Sequence, residues 1–383
     1  MVVGVGFLGS VAFRHKLGTT PTWGTEITCR TGDLVRILSE SIAGGPAYLA
    51  DDTVHNAVSL ASQAFRDRGD TGNETWSGTI ETYLRYRGLD SLIAHAFGVT
   101  AGAPTNASGA SAAYQQYFRP HNTLETIFGT LCVDKVHNIA EFDSVKINSM
   151  TITANTGERV RVSFDVIARD FNNDSTVNTP TSRDLWTDKD TAVNREYIIF
   201  EDANVYLDPW TTTTVTDDTA PTITAVDNVY PTSFSITLSN NLVGDYTTRN
   251  APLIDEPIRD GFAEVTGSIT FPVFGTTEGA TLNGESFEDA MLALTDYALQ
   301  IDFIGSTIVG SYANEFKMFL PSIEFTSSTA NLGGPGKIGH TLNFTAHNAP
   351  SAVGFLAERQ TTFLYPLWIE IQNRENSNVL SLT

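Results

Sequence analysis

The stretch Ile147 to Ala168, INSMTITANTGERVRVSFDVIA, narrows the fold more than any other part of the chain. Met150 and Ile152, then Val160, Val162, Phe164 and Val166, hold every second position, and Thr, Ser, Arg and Asp fill the places between. A period of two matches a strand with one face on a core and one in water, and Asn155-Thr156-Gly157 supplies the turn between two such strands. The stretch is therefore read as a β-hairpin, with Ile147 out of phase at the strand's entry. A looser copy lies near the other end: Pro321 to Thr326, a Gly-rich turn, then Lys337 to Ala346. Both copies close on a Phe with an Ala shortly after it, Phe164 and Ala168 in one, Phe344 and Ala346 in the other. A supersecondary unit used twice points to assembly rather than to chemistry.

At 383 residues the chain accommodates two ordinary domains or one large β domain. Its hydrophobic content of 41% supports packed cores, and no run approaches the ~18 apolar residues of a membrane-spanning helix. The N-terminus MVVGVGFLGSVAF lacks a basic leader, so no secretory signal is expected. Cys29 and Cys132 are the two cysteines, a number that fits a reducing cytoplasm at least as well as a disulfide. The formal net charge of −21, from 23 basic and 44 acidic residues, disfavours ordinary nucleic-acid binding, which needs Lys and Arg against phosphate. Two readings of the acidity stand: simple solubility, or a wall that repels phosphate and lets a strand pass without sticking.

Along the chain, Gly4 to Gly32 reads as an extended arm and Leu34 to Leu38 as a short strand. Residues 39–75 read as a long loop. Trp76 to Arg87 alternates again, with Ile80, Thr82, Leu84 and Tyr86 on one face. Asp90 is the expected N-cap of a helix over Ser91 to Phe97, and Gly98 its C-terminal glycine. Tyr117 to Val133 reads as a strand pair. Thr211 to Ala220, TTTTVTDDTA, reads as a connector. Beyond it come strands at Ser233 to Leu238 and Glu264 to Phe274, a loop from Val243 to Asp260, and a helix over Phe287 to Leu294 opened by Ser286-x-x-Asp289. Strands follow at Leu299 to Val309 and Phe316 to Leu320, then the second hairpin, and a last β run at Phe363 to Ile371. Ser77-Gly-Thr-Ile80 and Thr266-Gly-Ser-Ile269 hold matching places in the two halves. The division expected is an arm at 1–33, a first β unit at 34–208, a linker at 209–225, a second β unit at 226–349 and a C-terminal β segment at 350–383.

No residue set argues for catalysis. Gly333-Gly-Pro-Gly-Lys-Ile-Gly339 lacks the Ser or Thr that a phosphate loop places after its Lys, and a hairpin turn explains it better. Asp170-x-Asn172-x-Asp174 begins like a calcium loop, but Ser175 stands where Gly is needed and Thr181 where Glu is. The histidines form no metal-ligand spacing; His340 is expected at the surface and His95 as a satisfied, partly buried helix residue. Glu201-Asp202 and Asp217-Asp218 read as solvated acidic turns. Catalytic, cofactor-binding and metal residues are accordingly assigned to none, and no cofactor is expected.

Five stretches carry a family resemblance: Gly18 to Thr25, Trp76 to Gly98, Ile147 to Ala168, Phe234 to Leu242 and Asp260 to Phe274. Together, and in this order, they resemble the tail tube proteins of long-tailed bacteriophages, over about residues 4–348. The resemblance implies a mainly β chain with short helices, as two tandem β-sandwich or β-barrel units that form a ring-shaped oligomer. It implies a structural, non-enzymatic virion protein, made in the host cytoplasm, whose stacked rings conduct DNA. Its partners would be itself, other tail proteins and transiting DNA held without tight binding, with no membrane. Tubes of this family are six-fold in tube domains, so two domains per chain imply three chains per ring. Loops 39–75 and 243–260 would then order against a neighbouring ring. The alternative is a β-rich virion-surface adhesin or carbohydrate-binding module, which would account for the Thr, Asn and Gly content and the five tryptophans.

Overall fold

The computed structural model describes residues 9–16, 22–51, 68–100, 104–107, 112–189, 196–209, 225–275, 278–280, 282–348 and 365–376. In the first half the strands are β1 (Ser10–His15), β2 (Leu34–Val35), β3 (Ser39–Glu40), β4 (Ala43–Leu49), β5 (Asp70–Tyr83), β6 (Gly98–Thr100), β7 (Thr105–Asn106), β8 (Tyr114–Pro120), β9 (Gly129–Asp134), β10 (Ile139–Asn155) and β11 (Arg161–Ala168). The second half adds β12 (Ala203–Pro209), β13 (Asn228–Val229), β14 (Ser233–Ser239), β15 (Leu242–Val243), β16 (Ile258–Arg259), β17 (Glu264–Phe271), β18 (Tyr297–Val309), β19 (Tyr312–Thr329), β20 (His340–Ala346) and β21 (Trp368–Asn373). The helices are α1 (Asp90–Phe97), α2 (Pro180–Arg183) and α3 (Gly284–Ala293).

All ladders between these strands are antiparallel, and β10 and β19 organise them. The N-terminal part of β10 pairs with β9; its C-terminal part lies between β11 and β14. β19 likewise pairs with β18 along its first part and with β20 along its last. The inner series therefore runs β4-β5-β11-β10-β14-β17-β20-β19. Outer series leave it at β10 through β9 and β1, and at β19 through β18 and β12. The order β4-β5-β11-β10-β9-β1-β2 is thus repeated as β14-β17-β20-β19-β18-β12-β13.

The repeat extends to register. Val145↔Ala168, Ile147↔Val166 and Ser149↔Asp165 correspond at one constant spacing to Ile323↔Ala346, Phe325↔Phe344 and Ser327↔Asn343. A β-bulge follows Ile147 in one hairpin and Phe325 in the other. The bulge explains why Ile147 is out of phase: one extra residue lets Ile147 and Met150 both reach the core. The strand itself begins earlier, at Ile139. Gly78 faces Val166 as Gly267 faces Phe344, so the two Gly-Thr-Ile and Gly-Ser-Ile motifs occupy equivalent places.

The apolar phase of the inner strands turns toward one large core. Ile80, Met150, Ile152, Phe164, Phe234, Ile236, Ile269 and Phe344 all lie in it. α1 packs on β10 and β1, and α3 packs on β19. Phe287 of α3 stacks on Phe271 and meets Phe325 edge-on. Each such ring, fully buried, contributes about 1.5–3 kcal/mol.

Several expectations need correction. The arm holds a buried strand, since Val11 and Phe13 of β1 sit between β2 and β9. The stretch 39–75 is not one long loop: β3, β4 and the start of β5 form a hairpin over its described residues. Its few apolar side chains hid that pairing, which rests on a backbone ladder running through Gly44 and Gly45. β8 and β9 do not pair with each other. β8 joins β21 and β6, and β9 joins β1 and β10. Asp90 is the first residue of α1 and Leu89 its cap position, without a side-chain bond, whereas Gly98 is left-handed at φ 86° as expected. α3 starts earlier than its Ser286 signal; Asn283 caps it by accepting from the Ser286 amide. The connector Thr211 to Ala220 lies outside the described residues.

Candidate functional site: a hydroxyl-lined sheet face

The other phase of the inner strands is open. Along β10, β14, β17 and β20 it presents Thr151, Thr153, Ser233, Ser235, Thr237, Thr266, Ser268, Thr270, Thr341 and Thr345, each exposed or half-buried. Strand alternation puts these residues there, because Ile, Phe, Leu and Val hold the intervening places. The hydroxyls partly satisfy one another across strands: Thr151 meets Thr237 at 3.0 Å and Thr270 meets Thr341 at 3.2 Å.

Fixed charge on this face is sparse and mostly paired. Arg161 bonds Glu81 at 3.0 Å. Asp165 accepts from Thr79 at 2.7 Å and from Ser149 at 2.6 Å. Glu264 opens β17, and Glu324 lies within β19 opposite Thr345, 3.6 Å from His347. The acidic excess of the whole chain is therefore not concentrated on this face. Hydroxyls hydrogen-bond water readily yet offer phosphate no cation, so the counterion release that drives protein–DNA affinity has no source here.

Two strand edges of the inner series carry no partner among the described residues. One is the side of Ser39–Leu49 away from β5. The other is the side of β19 beyond Ile323 that is not taken by β20. Exposed apolar side chains lie beside both: Leu38, Tyr48 and Leu49 near the first, Leu332 near the second.

The residues weighed for chemistry have structural partners. His340 corrects its surface assignment: it shares parity with Leu342 and Phe344, is wholly buried, and bonds Glu278 and Ser328 at 2.8 and 2.9 Å. His95 is buried on α1, with its Nε2 2.8 Å from His15 Nδ1. Burial pushes His95 down to about 4. Burial and the neighbouring His95 push His15 down to about 2. Cys29 and Cys132 are buried with their sulfurs 3.7 Å apart, and burial raises the Cys132 thiol.

Asp170 and Asn172 cap their own turn, accepting from the amides of Phe171 and Asp174. They line a small polar cavity of about 140 Å³ with Glu141, Asp143 and Arg169. Arg169 supplies the positive charge there, 2.7 Å from Asp143. Among the described residues, no group of His, Cys, Asp and Glu is placed to hold a metal ion. Gly333–Gly339 is the exposed turn between β19 and β20. Glu201 accepts from the Gly157 amide at 3.0 Å, and Asp217-Asp218 lies outside the described residues.

The stretch 243–260 is held by its own chain. Lys146, buried, reaches Glu256 at 2.7 Å and the carbonyls of Leu124 and Pro257. Tyr246 donates to Glu74 O, and Trp23 Nε1 donates to Ile254 O. This stretch braces β5 through the Tyr246–Glu74 contact. Sequence reading missed this role because the binding groups are backbone carbonyls.

The arrangement is that of a β-sheet protein with a hydroxyl face and two edges unpaired among the described residues. Comparison with known families agrees: the description of the phage tail tube proteins matches residues 17–346, and the chain belongs to that family. That family is structural and places the protein in the virion tail. Comparison with curated proteins found no match. Among the described residues no helix is long and apolar enough to cross a membrane.

Proposed function

We propose that the chain is the wall subunit of a phage tail tube, in which three copies close one ring and rings stack into a conduit for DNA. The observation that carries this reading is the repeated pairing order within one continuous inner series. Each chain then supplies two tandem tube-type units, the first built from β1 to β11 and the second from β12 to β20, so that the division expected at 34–208 and 226–349 shifts to take β1 into the first unit and β12 into the second; a ring of three chains has pseudo-six-fold symmetry. Eight inner strands per chain make twenty-four in the ring. At a strand spacing of about 4.8 Å and a tilt of about 40°, the backbone circle is about 48 Å across. Side chains reduce that to a bore of roughly 35–40 Å, wide enough for a hydrated double helix.

α1 and α3 pack on the apolar face, with Leu92, Phe97 and Phe287 in the core there. Closing the ring puts this bulk on the longer, outer circumference and turns the hydroxyl face to the bore. DNA then meets a wall of hydroxyls with a small excess of carboxylates that holds it weakly, and most of the chain's acidity lies elsewhere. Other tail proteins meet the ends of the stack. Electron microscopy of the purified protein tests the reading: rings or tubes of uniform width are expected. Dispersed monomers at high concentration with saturable glycan binding would replace it with the adhesin reading.

A further inference from the structure

Within the inner series the β10–β14 ladder joins the two repeats, and that joint specifies another. β14 sits between β17, from its own half, and β10, from the other half. The equivalent of β14 in the first half is Ser39–Gly45: Ser39 faces Glu81 as Ser233 faces Thr270, and Ala43 faces Ser77 as Thr237 faces Thr266. The local contacts agree. The Cβ position of Gly78 lies 2.7 Å from Ser41 O, and that of Gly267 lies 2.6 Å from Ser235 O. The equivalent of β10 beyond its bulge is Ser327–Gly333. So, among the described residues, the strand equivalent to β14 has no counterpart of β10 beside it, and the strand equivalent to β10 has no counterpart of β14.

We infer that these two edges pair between copies of this chain, Ser39–Gly45 of one against Ser327–Gly333 of the next, in the register of the internal joint. This rests on the ring reading above. The internal register is Ser149↔Ser239, Thr151↔Thr237, Thr153↔Ser235 and Asn155↔Ser233. Carried over, it gives Ser327↔Gly45, Thr329↔Ala43, Asn331↔Ser41 and Gly333↔Ser39. Asn240 donates to Asn148 O and Thr156 donates to Thr232 O, so the even-numbered residues make the internal hydrogen bonds. Their equivalents are Glu40, Ile42 and Gly44 on one edge and Ser328, Ala330 and Leu332 on the other.

Features of the single chain fit a joint awaiting its partner. The outward amide of Ile42 is bonded by the carboxylate of Glu40 from its own strand, a stand-in for a strand carbonyl. β10 runs to Asn155, whereas β19 stops at Thr329, short of the equivalent Gly333. Leu332 is 81% exposed, and its equivalent Ala154 is fully buried in the internal joint. Two long unpaired edges on one molecule are otherwise an aggregation hazard, and mutual pairing removes both. A register slip of one residue would turn Leu332 to the hydroxyl face, so alternation fixes the match.

Thr329↔Ala43 is a non-hydrogen-bonded pair, whose side chains approach most closely and whose spacing suits a disulfide. The double variant Thr329→Cys, Ala43→Cys, assembled and treated with a mild oxidant, is expected to yield covalently closed rings under denaturing conditions. Within one chain these positions stand seven strand spacings apart along the sheet, roughly 33 Å. Thr329→Cys with Ser41→Cys or with Gly45→Cys is expected to cross-link at least tenfold less. In the unsubstituted protein, amide exchange at 39–45 and 327–333 is expected to slow at least tenfold on assembly. Uniform rings that show neither the cross-link nor the protection, or that cross-link equally in the shifted pairs, would overturn the seam and leave the ring reading standing. Failure of the unsubstituted protein to form rings would overturn both.

Discussion

Single residues at the centre of the molecule are committed by burial, and their replacement has predictable costs. Arg85 is fully buried and bonds Asp188 at 3.0 Å; Arg36 bonds the same carboxylate. Removing Asp188 leaves the Arg85 charge stranded. Asp188→Ala is therefore expected to cost about 3–5 kcal/mol, read as a drop in the denaturation midpoint at neutral pH. The histidine pair sets an acid limit. His95 and His15 are held neutral, at about 4 and about 2 against an ordinary 6.5. Between pH 6.5 and 4 the unfolded chain binds protons that the folded chain refuses, so stability falls as pH falls. At pH 5 the penalty is about 2 kcal/mol per ring. A His15→Phe, His95→Leu variant that folds is expected to lose less stability than the parent between pH 7 and pH 5 in urea titrations. An identical slope would contradict the assignment.

At the scale of elements, the two hairpins with their facing glycine strands form the repeated unit. Gly78 and Gly267 sit where a neighbouring strand approaches closely. An added Cβ would lie 2.5 Å from Ile42 Cα in one case and 2.3 Å from the Phe344 ring in the other. Gly78→Ala and Gly267→Ala are expected to cost about 1–3 kcal/mol each. Both sites also press on backbone, Ser41 O at 2.7 Å and Ser235 O at 2.6 Å, so the two costs are expected to be similar; urea midpoints check this. Both hairpins and both glycine motifs were legible in the sequence because alternation and turn residues act locally. The bulges were visible only as an out-of-phase Ile147. The β4–β5 hairpin was not legible, since Gly44, Gly45 and Gly72 carry no pattern and the pairing lies in the backbone. The cap of α3 was misplaced because Ser286 imitates a cap, whereas the Asn283 side chain makes the bond. His340 was misassigned by its polarity although its parity with Leu342 and Phe344 was plain; its partner Glu278 is distant in sequence.

At the scale of the whole molecule, one continuous sheet joins the two halves, and β21 ties them again by lying between β19 and β8. That second tie was not readable, because nothing in a strand's own residues says which distant strands flank it. The hydroxyl face yields a functional prediction. Thr151→Lys with Thr237→Lys places two cations per chain on the proposed bore without touching the apolar phase. Assembly is expected to persist, while DNA release from particles carrying the variant slows and becomes salt-dependent. Unchanged release would remove this face from the DNA path. The central claim is that one chain supplies two of the ring's six units. Symmetry analysis of assembled tubes by electron cryomicroscopy, with native mass of single rings, tests it most directly. The account predicts three chains per ring with pseudo-six-fold density at the inner wall; six chains per ring would contradict it.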